Sequence, residues 1–212
     1  PQLTPKSDRF FARVSGYSLE SYFGTQNMSK RYRIGKLDFN ANEHSLTSAN
    51  CFVRKNVFEK ISGFNVNLFP GEDPEFFARA KKNGFKIAYV PNIIIYHKRR
   101  PTLKKFMEQF FKYGYFRLKK EVLQKTRPKI VFYMPSFFII YLILLPFLAL
   151  ISKILLLPFI FYIIADIISS VYMAIKKADF PALFVLPFIF FALHLSYGLG
   201  MIWHSLSRII SK

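Results

Sequence analysis

The chain has 212 residues, a formal net charge of +19 and 52% hydrophobic residues. This charge favours a polyanionic partner, and the apolar residues crowd into roughly the last 80 positions, which is typical of a membrane protein. A single cysteine excludes an internal disulfide. Nucleic acid is not an expected partner, because the chain has no recognisable nucleic-acid motif and its basic residues concentrate beside the apolar stretches.

The first 98 residues are predicted to form short helices and strands. Apolar residues at roughly helical spacing indicate a helix over about residues 8–23, although Gly16 weakens the pattern. A loop follows, and we interpret its basic patch (Lys30, Arg31 and Arg33) as a solvated surface. The remaining predicted elements are a strand at Ala49–Arg54, helices at Lys55–Ile61 and Pro74–Asn83, and strands at Phe85–Tyr89 and Ile93–Tyr96.

A basic amphipathic helix and three apolar spans are predicted for the rest of the chain. Thr102 can cap a helix that carries Leu103, Phe106 and Phe110 on one side. Residues 98–129 contain 12 Lys and Arg residues against two Glu, and such a surplus beside a membrane segment favours anionic lipid headgroups. Since about 20 apolar residues cross the hydrocarbon core, the predicted spans are Ile130–Ser152, Ile154–Ile175 and Phe180–Trp203.

Three carboxylates lie within four positions at residues 72–75, in a chain with only 12 acidic residues against 31 basic ones. One interpretation is structural: Asp73 caps the next helix, Pro74 takes its first position, and Glu75 lies beside the positive end of the helix dipole. The other is catalytic: Asp73 acts as a general base for an incoming hydroxyl, and Glu72 holds it in place. The two interpretations are compatible, because a capping geometry can also position a catalytic carboxylate.

Seven stretches of the chain form an ordered series of motifs. They are Ser48–Arg54, Val57–Asn65, Gly71–Phe76 with Arg79, Asn83–Ile87, Tyr96–Leu103, Gln109–Arg117 and His194–Gly200. Their order resembles the second half of family 2 glycosyltransferases with the GT-A fold, in which a strand of small residues and a Gly-Gly-Phe turn precede a Glu-Asp pair. The later stretches resemble membrane-bound members of the succinoglycan type, which make exopolysaccharides. The likeness covers essentially the whole chain, with Ser62 where the family often has Gly.

This resemblance implies both a fold and a reaction. The implied α/β fold comprises the acceptor-side half of a GT-A domain in residues 1–98, a basic interfacial segment in residues 99–129 and about three transmembrane helices in residues 130–212. The implied reaction is inverting transfer of a sugar from a nucleotide-diphosphate donor to a lipid-linked or saccharide acceptor, in surface polysaccharide or glycan biosynthesis. Asp73 would be the catalytic base, with Glu72 beside it.

The family's nucleotide-binding half and its Asp-x-Asp metal motif are not found in the chain. The sequence also opens at Pro1 without an initiator Met. We therefore expect a C-terminal fragment, inactive by itself, whose donor and divalent metal (Mn or Mg) are bound mainly by a preceding half.

Further residues are expected to contact substrate. Arg99 and Arg100 suit phosphate oxygens because guanidinium groups form paired hydrogen bonds, although simple membrane-surface charge explains them equally. A polar helix face is likewise an alternative for Gln109. The residues that match family motifs and are expected to bind substrate or diphosphate are Asn50, Gln109, Tyr113 and Arg117.

Three other residues have a structural alternative beside a functional one. His97, at the end of a predicted strand, is a candidate metal ligand, but a lone His more often has a structural role. Asp166 within a span is a functional candidate, with an interhelical hydrogen bond or a span boundary as the alternatives. Cys51 is expected to be a small buried residue.

The charge distribution predicts a multi-pass protein of the cell membrane with its catalytic part in the cytoplasm, since Lys176 and Lys177 return to the side of the basic segment. The expected partners are a nucleotide-sugar donor, a lipid-linked or saccharide acceptor and membrane lipids. The alternative function is a non-catalytic, membrane-anchored basic domain that docks anionic lipid or a partner protein. Under that alternative Asp73 is replaceable, and charge reversal at Lys104 and Lys105 is the damaging change.

Overall fold

The computed structural model describes residues 1–124 and 129–210, which divide into two compact units, Pro1–Pro101 and Thr102–Lys212. The structure is mostly helical, so the predicted α/β class is represented only by a small parallel sheet. The helices of the first unit are α1 (Phe10–Glu20), α2 (Tyr22–Thr25), α3 (Lys55–Lys60) and α4 (Glu72–Lys82). Those of the second unit are α5 (Leu103–Gln124), α6 (Met134–Ile151), α7 (Leu157–Lys177) and α8 (Leu186–Ile210).

The sheet of the first unit joins the N-terminus to the segment after α4. β1 (Gln2–Leu3) pairs in parallel with β2 (Ile95–Tyr96), with Gln2 opposite Ile95. The predicted strand at Ile93–Tyr96 is therefore confirmed for its last two residues only. Parallel pairing requires a long connection between the strands, and here it contains the whole of α1 to α4.

Two other predicted strands are wrong. Residues 49–54 begin in a short 3₁₀ turn at Ser48–Asn50, after which Cys51 has extended backbone angles but no ladder partner among the described residues. Residues 85–89 contribute a single antiparallel bridge, between Asp38 and Tyr89. An extended segment becomes a strand only when a neighbour satisfies its backbone groups, and a sequence pattern does not report that neighbour.

The apolar alternation in residues 85–89 instead reflects packing on one side. Phe85 and Ile87 lie against the hydrophobic core of the first unit, which is built on α4. The exposed ring of Phe64 contacts the buried ring of Phe76 in a tilted arrangement, with ring centroids 4.7 Å apart. The buried members of this core are Ile61, Phe76, Phe77 and Ala80.

Helix α4 begins two residues earlier than the sequence predicts, at Glu72 instead of Pro74. Gly71 is its N-cap, with a φ of 120° that favours glycine, so the prediction that Asp73 caps the helix is wrong. Asp73 is the second helical residue, and Pro74 is the third rather than the first. A proline is tolerated there because the first N–H groups of a helix have no intrahelical partner. All three carboxylates still lie in the first turn, where the helix dipole favours negative charge.

The second unit confirms the three predicted apolar spans. The described residues contain three helices long and apolar enough to cross a membrane, at Ile130–Ile151, Lys153–Lys177 and Leu186–Ile210. Each begins in or after a short 3₁₀ turn, at Ile130–Tyr133, Lys153–Leu156 and Phe180–Phe184. These helices make this a membrane protein.

The predicted basic helix is α5, and it packs closely against α8. The Thr102 hydroxyl accepts the backbone N–H of Lys105 at 3.4 Å, which confirms the predicted cap. Two glycines bring the helix backbones together: a Cβ added to Gly114 would lie 2.0 Å from the carbonyl oxygen of Tyr197, and one added to Gly200 would lie 2.0 Å from that of Phe111. A side chain at either position would therefore force the helices apart.

Candidate active site

The carboxylate of Asp73 has one engaged oxygen and one open oxygen. Its Oδ2 lies 3.5 Å from Nη1 of Arg31, and the Asp73 side chain is 15% exposed. Within residues 1–124 and 129–210 no hydrogen bond reaches Oδ1. A carboxylate of this kind is partly shielded and held from one side, yet it can still accept a proton from a hydroxyl group.

Arg31 is the residue that the sequence interpretation missed. It was assigned to a solvated basic patch, but it is only 6% exposed, so that assignment is wrong. Its Nη2 donates to the carbonyl oxygen of Glu43 in a short hydrogen bond. The partner Asp73 lies 42 positions away in the chain, and no local pattern in the sequence indicates such a contact.

Glu72 has a different role from the one suggested by its position beside Asp73. Its Oε2 accepts the backbone N–H of Gly71 at 2.9 Å. The side chain therefore turns back to satisfy a donor at the start of its own helix, a form of capping. No hydrogen bond joins it to Asp73 in the part of the chain that the structure describes, and its expected catalytic role stays a prediction.

Glu75 and Arg79 fix the helix that carries Asp73. Glu75 is buried, and its two oxygens accept from Nε and Nη2 of Arg79 at 2.9 and 2.8 Å. The same guanidinium group donates to the carbonyl oxygens of Ile61 and, at 2.7 Å, of Gly63. Paired charge-assisted bonds of this type are strong and directional, so the first turns of α4 are tied to the turn that follows α3.

A cavity of about 540 Å³ lies in the first unit, lined by Asn50, Cys51 and aromatic residues that include Phe76 and Phe85. The Cys51 side chain is half-buried rather than fully buried as predicted. Burial raises the pKa of the Cys51 thiol, and the nearby negative charge of Asp73 raises it further. Cys51, which lines the cavity, therefore lies within the electrostatic range of Asp73.

Asn50, an expected substrate contact, is engaged with the backbone of its own unit. Its Nδ2 donates to the carbonyl oxygens of Pro1 and Ile93, at 3.2 and 2.8 Å. The bonds link the segment before β1 to the segment before β2. The amide NH₂ group of Asn50 is thus used in hydrogen bonds within the first unit, and its expected contact with substrate stays a prediction.

Arg99 holds the N-terminal segment. Its Nε donates to the Thr4 hydroxyl at 2.9 Å, its Nη2 donates to the carbonyl oxygen of Gln2 at 2.8 Å, and its backbone N–H donates to Asp8 at 3.1 Å. The guanidinium group also lies over the ring of Tyr32, 5.1 Å from the centroid. Neither expectation for Arg99, a contact with diphosphate or with the membrane surface, includes this anchoring role. Arg100 is exposed, and its expected contact with diphosphate stays a prediction.

His97 directly follows β2, and its backbone N–H donates to the carbonyl oxygen of Leu3 at 2.9 Å. Partial burial lowers the pKa of its imidazole, and the positive charges of Arg99 and Arg100 lower it further. This shift favours the neutral imidazole, which is the form that binds metals. The described residues, however, contain no group of three or more His, Cys, Asp or Glu side chains arranged to hold a metal ion.

The candidate residues of the second unit, Gln109, Tyr113 and Arg117, lie on α5 and have partners within that unit. Gln109 Nε2 donates to the Tyr113 hydroxyl at 2.6 Å, one helical turn away. The Arg117 guanidinium lies over the ring of Phe132, 4.2 Å from its centroid, in a cation–π contact. Their expected contacts with substrate or diphosphate stay predictions.

Asp166 is buried within α7 and accepts a hydrogen bond from the Ser170 hydroxyl at 3.2 Å. This bond lies within one helix, so the predicted interhelical bond of Asp166 is not the one observed. A different pair of residues connects α7 to α8: the Tyr162 hydroxyl on α7 lies 3.0 Å from Nδ1 of His194 on α8. Polar groups with partners are the form in which such residues are tolerated inside a membrane.

Comparison with known proteins decides the family. The model of the glycosyl transferase family group 2 matches residues 9–203, which is most of the chain. The chain belongs to this family. Membership extends across both units, from α1 to the last span, and it includes the carboxylates at the start of α4.

This family 2 glycosyltransferase also resembles a curated protein from Methanococcus voltae. That protein is named dolichyl N-acetyl-alpha-D-glucosaminyl phosphate 3-beta-D-2,3-diacetamido-2,3-dideoxy-beta-D-glucuronosyltransferase. The two are 30% identical over 137 residues, which cover 64% of this chain and 40% of the relative. The chain thus matches about two fifths of the relative's length. No solved structure matches the chain.

Proposed function

We propose that this chain carries the acceptor side of an inverting glycosyltransferase and that Asp73 is its catalytic base. The observation that carries the proposal is the Asp73 carboxylate, held through Oδ2 and open at Oδ1, in the first turn of a helix fixed by Glu75 and Arg79. Family membership supports a transferase. Residues 1–98 would then be the acceptor-side half of a GT-A domain.

In the proposed reaction, Asp73 takes the proton of an acceptor hydroxyl. The hydroxyl oxygen forms a bond to the anomeric carbon of the donor sugar, and the bond between that carbon and the diphosphate breaks. The nucleoside diphosphate leaves with the electron pair, and the proton on Asp73 passes to water. Attack from the side opposite the leaving group inverts the configuration at the anomeric carbon.

The acceptor that we propose is a lipid-linked sugar at the cytoplasmic face of the cell membrane. Three candidate spans support a multi-pass protein, and α5 supplies exposed lysines suited to anionic headgroups, among them Lys104 and Lys105. The relative's name describes a dolichyl phosphate-linked sugar as its substrate. A lipid-linked acceptor would explain why the basic helix and the spans are adjacent in the chain.

The donor would be a nucleotide-diphosphate sugar, with Mn or Mg as the metal that the family resemblance implies. We propose that both are bound mainly by a preceding part of the parent protein. The described residues of this chain offer no set of metal ligands, and no step above passes through a metal.

The decisive experiment measures release of nucleoside diphosphate by the full-length parent in membranes, with Mn or Mg present. The Asp73→Asn variant keeps the size of the side chain but removes its basicity. We expect a loss of at least about 10²-fold, the usual contribution of a general base. The matched control is Glu59→Gln. Glu59 is an exposed carboxylate whose only described side-chain partner is Lys55 on the same helix. Retained turnover in Asp73→Asn would exclude Asp73 as the base.

A further inference from the structure

The guanidinium group of Arg31 is buried with incomplete hydrogen bonding. It has one ion pair, at 3.5 Å to Asp73, and one short bond to the carbonyl oxygen of Glu43. Its Nε is buried without a hydrogen-bond partner among the described residues. An incompletely satisfied buried charge is unfavourable for stability, and apolar side chains in place of a whole buried ion pair are often as stable or more stable.

We propose that Arg31 is a positioning residue for the transfer reaction: it fixes Oδ2 of Asp73 so that Oδ1 is left to take the proton of the acceptor hydroxyl. The proposal rests on the function proposed above, because it requires Asp73 to be the base. A residue that lowers stability in order to orient a reacting group is what functional sites commonly contain.

The anchor of Arg31 is rigid on both sides. Arg31 ends the 3₁₀ segment Gln26–Arg31, whose last turn is closed by a hydrogen bond from Tyr32 N–H to the carbonyl oxygen of Ser29 at 3.1 Å. Glu43, which supplies the carbonyl acceptor, lies inside a turn.

Two bonds close that turn: the backbone N–H of His44 donates to Asn42 Oδ1, and that of Ser45 donates to the carbonyl oxygen of Asn42, both at 3.0 Å. The guanidinium group is held by this turn through Nη2 and in turn holds the Asp73 carboxylate through Nη1. A shift of the carboxylate by about 1 Å can lower a rate about 10²-fold.

The test compares Arg31→Met with Asp73→Asn in the full-length parent. Arg31→Met keeps the volume and removes the charge, so we expect kcat for nucleoside diphosphate release to fall by about 10²-fold while KM for the donor changes less than about twofold. We expect the unfolding temperature in detergent to fall, because the largely buried Asp73 carboxylate loses its ion-pair partner, with the variant still folded at the assay temperature. The matched control is Arg33→Met, from the same basic segment but without a contact to Asp73 among the described residues.

A second variant separates positioning from folding. In Arg31→Ala, added guanidinium ion is expected to restore part of kcat, because it can occupy the vacated space beside Asp73. A folded Arg31→Ala variant whose kcat is not restored by added guanidinium ion would show a structural role and overturn the proposal. Full kcat in Arg31→Met with an inactive Asp73→Asn would overturn this proposal alone, whereas an active Asp73→Asn would overturn the proposed function itself.

Discussion

Replacement of Gly200 by alanine tests the close packing of α5 against α8. The added Cβ would lie 2.0 Å from the carbonyl oxygen of Phe111 and 2.9 Å from the backbone nitrogen of Tyr115. Atoms of a helix backbone cannot rotate aside as a flexible side chain can. The two helices must therefore separate or tilt, and contacts along the whole interface are weakened.

Two effects of opposite sign set the magnitude for Gly200→Ala. Overpacking a well-packed interior costs about 1–3 kcal/mol, and a backbone obstacle favours the upper end of that range. Alanine in a helix interior is favoured over glycine by up to about 1 kcal/mol. The net loss in the free energy of unfolding is then about 2 kcal/mol. For a chain of this size, that loss lowers the unfolding temperature by about 4–8 °C.

Thermal unfolding of the chain in detergent measures this effect, with the single tryptophan, Trp203 on α8, as the fluorescent probe. The control is Leu199→Ala, at the adjacent and exposed position. We expect the control to change the unfolding temperature much less than Gly200→Ala does. A Gly200→Ala variant as stable as the wild type would mean that helix propensity outweighs packing and that α5 and α8 do not approach as described.

Three further predictions address other contacts. Arg79→Met removes the hydrogen bonds to Glu75 and to two backbone carbonyls. The free energy of unfolding, measured by chemical denaturation, should therefore fall by about 3 kcal/mol or more; an unchanged value would mean that these bonds do not hold α4 in place. Asp73→Asn should speed alkylation of Cys51 at pH 8, because loss of the negative charge lowers the raised pKa of the thiol and increases the thiolate; an equal rate would refute the electrostatic link. Asp166→Leu should make the free energy of membrane insertion of its helix more favourable by about 3 kcal/mol in a translocon insertion assay. An unfolding temperature below that of the wild type would instead mean that Asp166 makes a stabilising contact with another helix.

The helices and spans were accessible from the sequence because their signals are local. Apolar spacing and the Gly84 stop predict α4 to within two residues at its start and one at its end. Hydropathy alone finds the three spans. The strands at residues 49–54 and 85–89 were mispredicted because pairing depends on a distant segment, as the bridge between Asp38 and Tyr89 illustrates.

The site was accessible only in part for the same reason. The clustered carboxylates draw attention to Asp73 because acids are scarce in this basic chain. The cap was misassigned because Gly71 and Asp73 are both good N-cap residues, and only the φ of 120° at Gly71 decides between them. Arg31 carries no signal at all, since a basic residue in a basic segment looks solvated until its burial is known.

The three carboxylates at the start of α4 have three different environments, and the contrast argues for one reactive group. Glu75 is 4% exposed and bound at both oxygens by Arg79, so its capacity to accept a proton from substrate is already used. Glu72 accepts a backbone N–H of its own helix start. Asp73 has a single, long contact, which is to a charged side chain rather than to the backbone of its own helix, and its Oδ1 has no hydrogen-bond partner among the described residues. Neighbouring acids in unlike environments take unlike roles, and this contrast supports the proposal that Asp73 is the group that takes the proton.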